Sequence, residues 1–233
     1  MGSADRDFRL RRKDGSEFVA DIALGPIGRK GARYTVAVVR DATERRRLES
    51  DLEHRALHDP LTGLANRTLF FDRLNQAILG YKRARRPVAI VMLDLDGFKT
   101  INDSFGHVAG DKILRRLGAN LESGLRSTDT VARLGGDEFA WILPLVAGPE
   151  AAIRRVRALL RSVARSYSID SKKIEVGISA GLALYPDDGL HADELMRHAD
   201  LALYTAKRQG GGLAFIGLQA PGARNRRTRS RTS

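Results

Sequence analysis

The chain has 233 residues, 42% of them hydrophobic and 29% charged, the make-up of a soluble globular protein of one to two domains that can bury a core. It has no cysteine, which excludes disulfide staples, thiolate metal sites and cysteine nucleophiles, leaves oxygen and imidazole as metal donors, and suits a reducing cytoplasm. The net charge of +12 argues weakly for nucleic acid: residues 217–233 carry five basic side chains and no acidic one, against 13 and 10 in residues 1–55 and 22 and 18 in residues 56–216.

Residues 8–24 predict a hairpin, because Phe18, Ala20, Ile22 and Leu24 alternate with Val19, Asp21 and Ala23 just after the turn pair Asp14-Gly15. A third strand is expected from Tyr34 to Val39. Asp41-Ala42-Thr43-Glu44 reads as a capped helix start, and Leu48, Leu52 and Ala56 form a narrow apolar stripe out to about Leu57. Past Pro60 the pattern alternates. Helices are expected over Asn66 to Arg83, Ala109 to Glu122, Pro149 to Ser166 and Ala192 to Lys207. Strands are expected over Val88 to Asp94, Thr130 to Arg133, Glu138 to Leu143, Ile174 to Leu184 and Leu213 to Ile216. This order makes an α/β or α+β domain.

The tail from Ala223 to Arg231 has no apolar period and is expected to be a disordered, solvated terminus rather than an arm for an anionic surface. No run approaches the ~18 apolar residues of a membrane span, and Met1-Gly2-Ser3-Ala4-Asp5-Arg6 lacks the apolar core of a signal peptide. The expectation is a chain neither exported nor inserted.

The apolar run Val88 to Leu93 ends abruptly in Asp94-Leu95-Asp96-Gly97-Phe98-Lys99. A buried central strand thus delivers acids to its carboxyl end, where ligands of layered α/β proteins commonly bind. Asp94 and Asp96 share a face while the strand stays extended, and two carboxylates ~4 Å apart repel by ~4 kcal/mol at an effective dielectric of 20, so they call for a cation. Magnesium suits oxygen ligands and substrate phosphates. Alone, Asp-x-Asp is more often a cap or a surface turn. A second cluster, Arg133-Leu134-Gly135-Gly136-Asp137-Glu138-Phe139, sets two glycines before adjacent acids between strand-like runs. Those glycines make a turn and let a nucleotide approach the backbone. Together with Gly97 and Lys99 for phosphates, the two strand ends describe a site for a nucleoside triphosphate and magnesium.

These segments, with Asp59-Pro60-Leu61-Thr62-Gly63-Leu64-Ala65-Asn66-Arg67, Asn102-Asp103 and Gly106-His107-Val108-Ala109-Gly110-Asp111, closely resemble the GGDEF family of diguanylate cyclases in order and spacing. The resemblance covers about residues 55–216 and implies a palm-like, mostly antiparallel central sheet wrapped by helices. Residues 7–40 are similar to the last three strands of a PAS sensor domain, and Asp41 to Arg45 to its exit into a signalling helix. The implied organisation is a partial PAS domain (1–40), a linker helix (41–58), a cyclase domain (59–216) and a basic tail (217–233).

The resemblance implies that two GTP molecules condense to cyclic di-GMP with loss of two pyrophosphates. It implies magnesium, or manganese in its place, on Asp94, the Leu95 carbonyl and Asp137, with Asp137 or Glu138 as proton acceptor. Asn102 and Asp111 would read guanine, His107 and Phe98 would lie by the nucleotide, and Gly97, Lys99 and Lys207 would serve the phosphates. Arg126-Ser127-Thr128-Asp129 matches the inhibitory Arg-x-x-Asp spacing, so product binding at Arg126 and Asp129 is expected. There the aspartate can accept guanine N–H groups. One active site per chain implies a homodimer in turnover. The chain departs from the family at Gly211, where an arginine commonly reaches the triphosphate. That departure keeps open a weakly active or inactive module that binds GTP or cyclic di-GMP as a receptor.

Overall fold

In the structure, a computed structural model, residues 8–29, 32–163, 166–169 and 172–215 are described. The chain divides into two compact units, residues 1–56 and 57–233.

In the first unit, β1 (Phe8–Arg11), β2 (Glu17–Arg29) and β3 (Ala32–Asp41) form an antiparallel sheet in chain order. The Asp14-Gly15 turn forms as expected. Asp14 accepts the Ser16 N–H and hydroxyl at 2.9 and 2.6 Å, and Gly15 takes a φ of 87° that a side chain would resist. Strands β2 and β3 run longer than their alternation suggests, because each extends the other's ladder from Ala20↔Asp41 to Arg29↔Ala32. Helix α1 (Thr43–Leu57) starts where the Asp41 carboxylate accepts the Thr43 N–H at 2.9 Å.

The second unit is built on a five-stranded sheet of order β10-β9-β4-β6-β5. Its strands are β4 (Val88–Asp96), β5 (Thr130–Gly135), β6 (Glu138–Leu143), β9 (Gly177–Tyr185) and β10 (Gly212–Phe215). Only the β9–β10 pair is parallel; the other three are antiparallel. Strand β4 lies at the centre, which is why its sequence is continuously apolar. Its side chains alternate between two cores. Ala89, Val91, Leu93 and Leu95 face α4 (His107–Ser123) and α5 (Pro149–Val163), while Val88, Ile90 and Met92 face α2 (Arg67–Ala84) and α6 (Ala192–Arg208). Asn66 caps α2 by accepting the Leu69 N–H at 3.1 Å. Gly181 on β9 lets α6 lie close on the sheet: a Cβ there would fall 2.1 Å from the Ala199 carbonyl oxygen and the Leu203 nitrogen.

Other features also differ from the sequence reading. Phe98–Phe105 is a helix, α3, immediately after β4. It escapes detection because eight residues are too few to establish a period. Helix α5 ends at Val163 rather than Ser166. Finally, the strand expected over Ile174 to Leu184 is divided between β8 (Lys172–Glu175), which pairs with β7 (Ser166–Ile169) in a separate hairpin, and β9, which begins at Gly177. The chain beyond Phe215, with Ile216 and the basic tail, lies outside the described residues. Among the described residues no helix is long and apolar enough to cross a membrane.

Candidate active site

The carboxyl end of β4 carries Asp94 on the face covered by α6. Antiparallel register sets Asp94 opposite Glu138 on β6 and opposite Ser179 on β9, so three polar residues cross the sheet side by side. Asp94 is 8% exposed and Ser179 fully buried. Burial pushes the Asp94 carboxyl above its ordinary value; Asp137 and Asp96 push the same way, and Lys207 opposes them. The Lys207 ammonium sits 2.7 Å from Asp94 Oδ1. Lysine in the last turn of α6 also suits the negative end of the helix dipole, which helps hold the cation there.

Among the described residues no group of three or more His, Cys, Asp or Glu forms a ready-made metal cluster. The donor set instead suits magnesium, which takes one or two carboxylates and completes its shell with water and phosphate oxygens. Asp137 is close enough to Asp94 to raise the pKa of its carboxyl, and a cation, the Lys207 ammonium, already lies on Asp94. The site therefore fits a hard divalent ion.

Asp96 faces the same side as Asp94 and is tied down by the Ser179 hydroxyl, which donates to its Oδ1 at 2.6 Å. Its other oxygen lies between Gly177 and Gly211: a Cβ on either would approach Oδ2 to 2.7 or 3.3 Å. Gly210, Gly211 and Gly212 all have φ between 92 and 104°, so an arginine at 211 would be strained on this backbone.

The Gly135-Gly136 turn presenting Asp137 and Glu138 is braced from below. Arg133 donates through Nε and Nη2 to the Gly136 carbonyl at 3.0 and 2.8 Å, and through Nη1 to both Asp59 oxygens at 3.0 and 3.1 Å. Asp59 also accepts the Thr62 N–H and hydroxyl. Burial opposes ionisation of Asp59, but the Thr62 hydroxyl, Arg133 and the Thr62 N–H outweigh it and hold the carboxyl below its ordinary value. Neither Ser179 nor this brace was assigned a role from sequence. A serine inside the apolar run of β9 was the available signal for the first, and the paired acid and arginine of two motifs for the second.

Gly97 opens α3 with a left-handed φ of 70°, and Phe98, Lys99 and Asn102 follow on that helix. Gly106 separates α3 from α4, whose first residue is His107 and which carries Asp111. Lys99 and His107 are exposed, and the Phe98 ring packs on the core.

Arg126 and Asp129 lie apart from this centre, in the turn before β5, at the rim of a cavity of about 690 Å³ that Arg73 and Gln76 of α2 also line. Asp129 is already engaged. Its side chain is fully buried, its Oδ2 accepts the Arg126 N–H at 2.7 Å, and both oxygens meet the Arg155 guanidinium. Arg155, on α5, is a residue the four-residue spacing alone could not reveal.

A family model described as the diguanylate cyclase GGDEF domain matches residues 56–212, which covers the unit that holds this site up to Gly212. The chain belongs to the GGDEF family. It is 42% identical over 176 residues to the bifunctional diguanylate cyclase/cyclic di-GMP phosphodiesterase MucR of Pseudomonas aeruginosa, and 34% identical over 209 residues to the diguanylate cyclase TpbB of the same species. These matches take 75% and 87% of the chain but only 26% and 47% of the two relatives, so the chain spans less than half of either. The crystal structure of the TpbB GGDEF domain aligns with a TM-score of 0.64 and 36% identity, covering 66% of this chain and 98% of that one. The coiled coil and GGDEF domain of DgcB from Caulobacter crescentus, a structure in complex with c-di-GMP, aligns with a TM-score of 0.65 and 29% identity, covering 74% and 94%. The GGDEF domain thus has the central, mostly antiparallel sheet wrapped by helices that the sequence implied.

Proposed function

We propose that this GGDEF domain condenses two GTP molecules into cyclic di-GMP, releasing two pyrophosphates. The observation that carries the reading is the register of β4 and β6, which sets Asp94 against Glu138, with Asp137 beside them at the strand end. Asp94, the Leu95 carbonyl and Asp137 would hold magnesium or manganese; the ion would screen the triphosphate and lower the pKa of the attacking hydroxyl. In each condensation the 3′-hydroxyl of one GTP forms a bond to the α-phosphorus of the other, the bond to pyrophosphate breaks, and the hydroxyl proton passes to Glu138 or Asp137. Lys207 leaves Asp94 for a phosphate oxygen, and Lys99 adds a second mobile charge. Gly97 and Phe98 bound the triphosphate approach, His107 flanks the nucleotide, and Asn102 and Asp111 read the guanine edge. Such a reaction depends on positioning and charge stabilisation more than on covalent chemistry.

Because each chain offers one such site, turnover takes two copies facing one another. Leu48 and Leu52 on α1 are 56% and 66% exposed and one helical turn apart, a seam suited to a parallel helix pair. The three-stranded unit before α1 serves as the sensory part, in the manner of a PAS sheet. Product returns to the loop at Arg126 and slows the enzyme; there Arg126 makes the contact, while Asp129 fixes the loop through Arg155.

Incubation with GTP and magnesium, followed by mass detection of the product, tests the activity. Cyclic di-GMP is expected from the native chain and at least about a hundredfold less from Asp137→Ala. Gly211 favours a second reading, a receptor that binds the nucleotide and does not turn it over. GTP binding without any product would select that reading.

A further inference from the structure

The structure assigns to Gly110 a part in nucleotide choice: we propose that its missing side chain is the seat on which the Asn102 amide is positioned for guanine. The inference rests on the reading of Asn102 as a base-recognition residue and deepens it.

Gly110 is the fourth residue of α4, where glycine is disfavoured relative to alanine. No backbone demand explains it, since Gly110 is not among the glycines with positive φ. Space does. A Cβ at 110 would lie 2.0 Å from Asn102 Oδ1, 3.1 Å from Asn102 Cγ and 3.1 Å from Phe98 Cζ. The first is far inside any tolerable contact, so the Asn102 amide would have to turn away from its place. The other glycine inside α4, Gly118, meets only the ends of Leu64 and Thr62, at 3.2 and 3.3 Å; its role is helix packing.

The amide resting on Gly110 is otherwise poorly served. Asn102 Oδ1 is buried and has no hydrogen-bond partner, an uncommon condition for a buried polar atom. An asparagine placed only for stability would have its oxygen satisfied, as Asn66 does at the start of α2. Asn102 is instead fixed by shape, and Asp111 follows Gly110 on α4. An amide and a carboxylate together match the acceptor and donors of guanine, whereas adenine offers a donor where guanine has its oxygen. Rotating the amide away would remove half of that pattern while leaving the phosphate contacts intact.

The test is equilibrium binding of GTP and ATP, with magnesium, to four proteins: the native chain, Gly110→Ala, Asn102→Ala and the double variant. Gly110→Ala is expected to weaken GTP about tenfold, the scale of one lost hydrogen bond, and to leave ATP unchanged. In the Asn102→Ala background, where the obstructing amide is absent, adding Gly110→Ala is expected to leave the ratio of GTP to ATP affinity unchanged. Unaltered GTP preference in Gly110→Ala, or a further loss in the double variant, would overturn the inference. A native chain that binds GTP no better than ATP would instead overturn the reading on which it rests.

Discussion

Asp94 and Asp129 are both buried acids with a basic partner, and their surroundings give them different tasks. Asp94 is held by one mobile lysine at the mouth of the site, so its partner can be exchanged for a metal ion. Asp129 is enclosed, with both oxygens taken by Arg155 and its turn, so it is a structural anchor. The two members of the Arg-x-x-Asp pair therefore separate under mutation. Arg126→Ala, an exposed position, should raise the inhibition constant for cyclic di-GMP about tenfold or more while leaving the melting temperature within about a degree. Asp129→Ala should lower the melting temperature itself, because a buried guanidinium loses its counter-charge. Inhibition assays and thermal melts on both variants check this; an unchanged inhibition constant in Arg126→Ala would remove the arginine from the product site.

Among the elements, the turn bearing Asp137 and Glu138 is rigid because Arg133 grips its carbonyl and is itself gripped by Asp59, 74 residues earlier in the chain. The side chains of the pair are only 12% and 16% exposed, so Asp59→Ala should cost about 3–5 kcal/mol. The pH dependence follows from the direction of the shift. The folded pKa of Asp59 lies below its ordinary value, so the pair's contribution is complete above the unfolded pKa of ~3.9 and is lost as pH falls through the folded value. Denaturant titrations between pH 6 and 3 should therefore show a shallower acid decline in Asp59→Asn than in the native chain; parallel declines would deny the pair its role. The long elements were legible in sequence because their periods are long: the central strand as an unbroken apolar run, and α2, α4 and α6 as amphipathic helices. Helix α3 and the β7–β8 hairpin were not, since eight and four residues carry too few repeats of either period. The acids of the site were legible from their place at strand ends. Ser179, Arg155 and the space at Gly110 were not, because each acts through a neighbour remote in sequence.

For the whole molecule, the sheet is a device for bringing residues from five distant segments to one edge, with α6 lowered onto Gly181 so that its final lysine reaches Asp94. Under the proposed function, one such edge per chain would make turnover a property of two chains. Replacing both Leu48 and Leu52 with Glu should abolish concentration-dependent dimerisation in sedimentation or light scattering and reduce specific activity at least about tenfold, with the GGDEF domain still folded; a variant that remains dimeric would take the seam off α1. The proposed chemistry requires the carboxylates of Asp94 and Asp137 to share one divalent ion. Manganese binding followed by electron paramagnetic resonance, with a non-hydrolysable GTP analogue present, measures this. Affinity should fall at least about tenfold in both Asp94→Asn and Asp137→Asn and stay unchanged in Glu122→Gln, whereas native affinity in the two aspartate variants would contradict it.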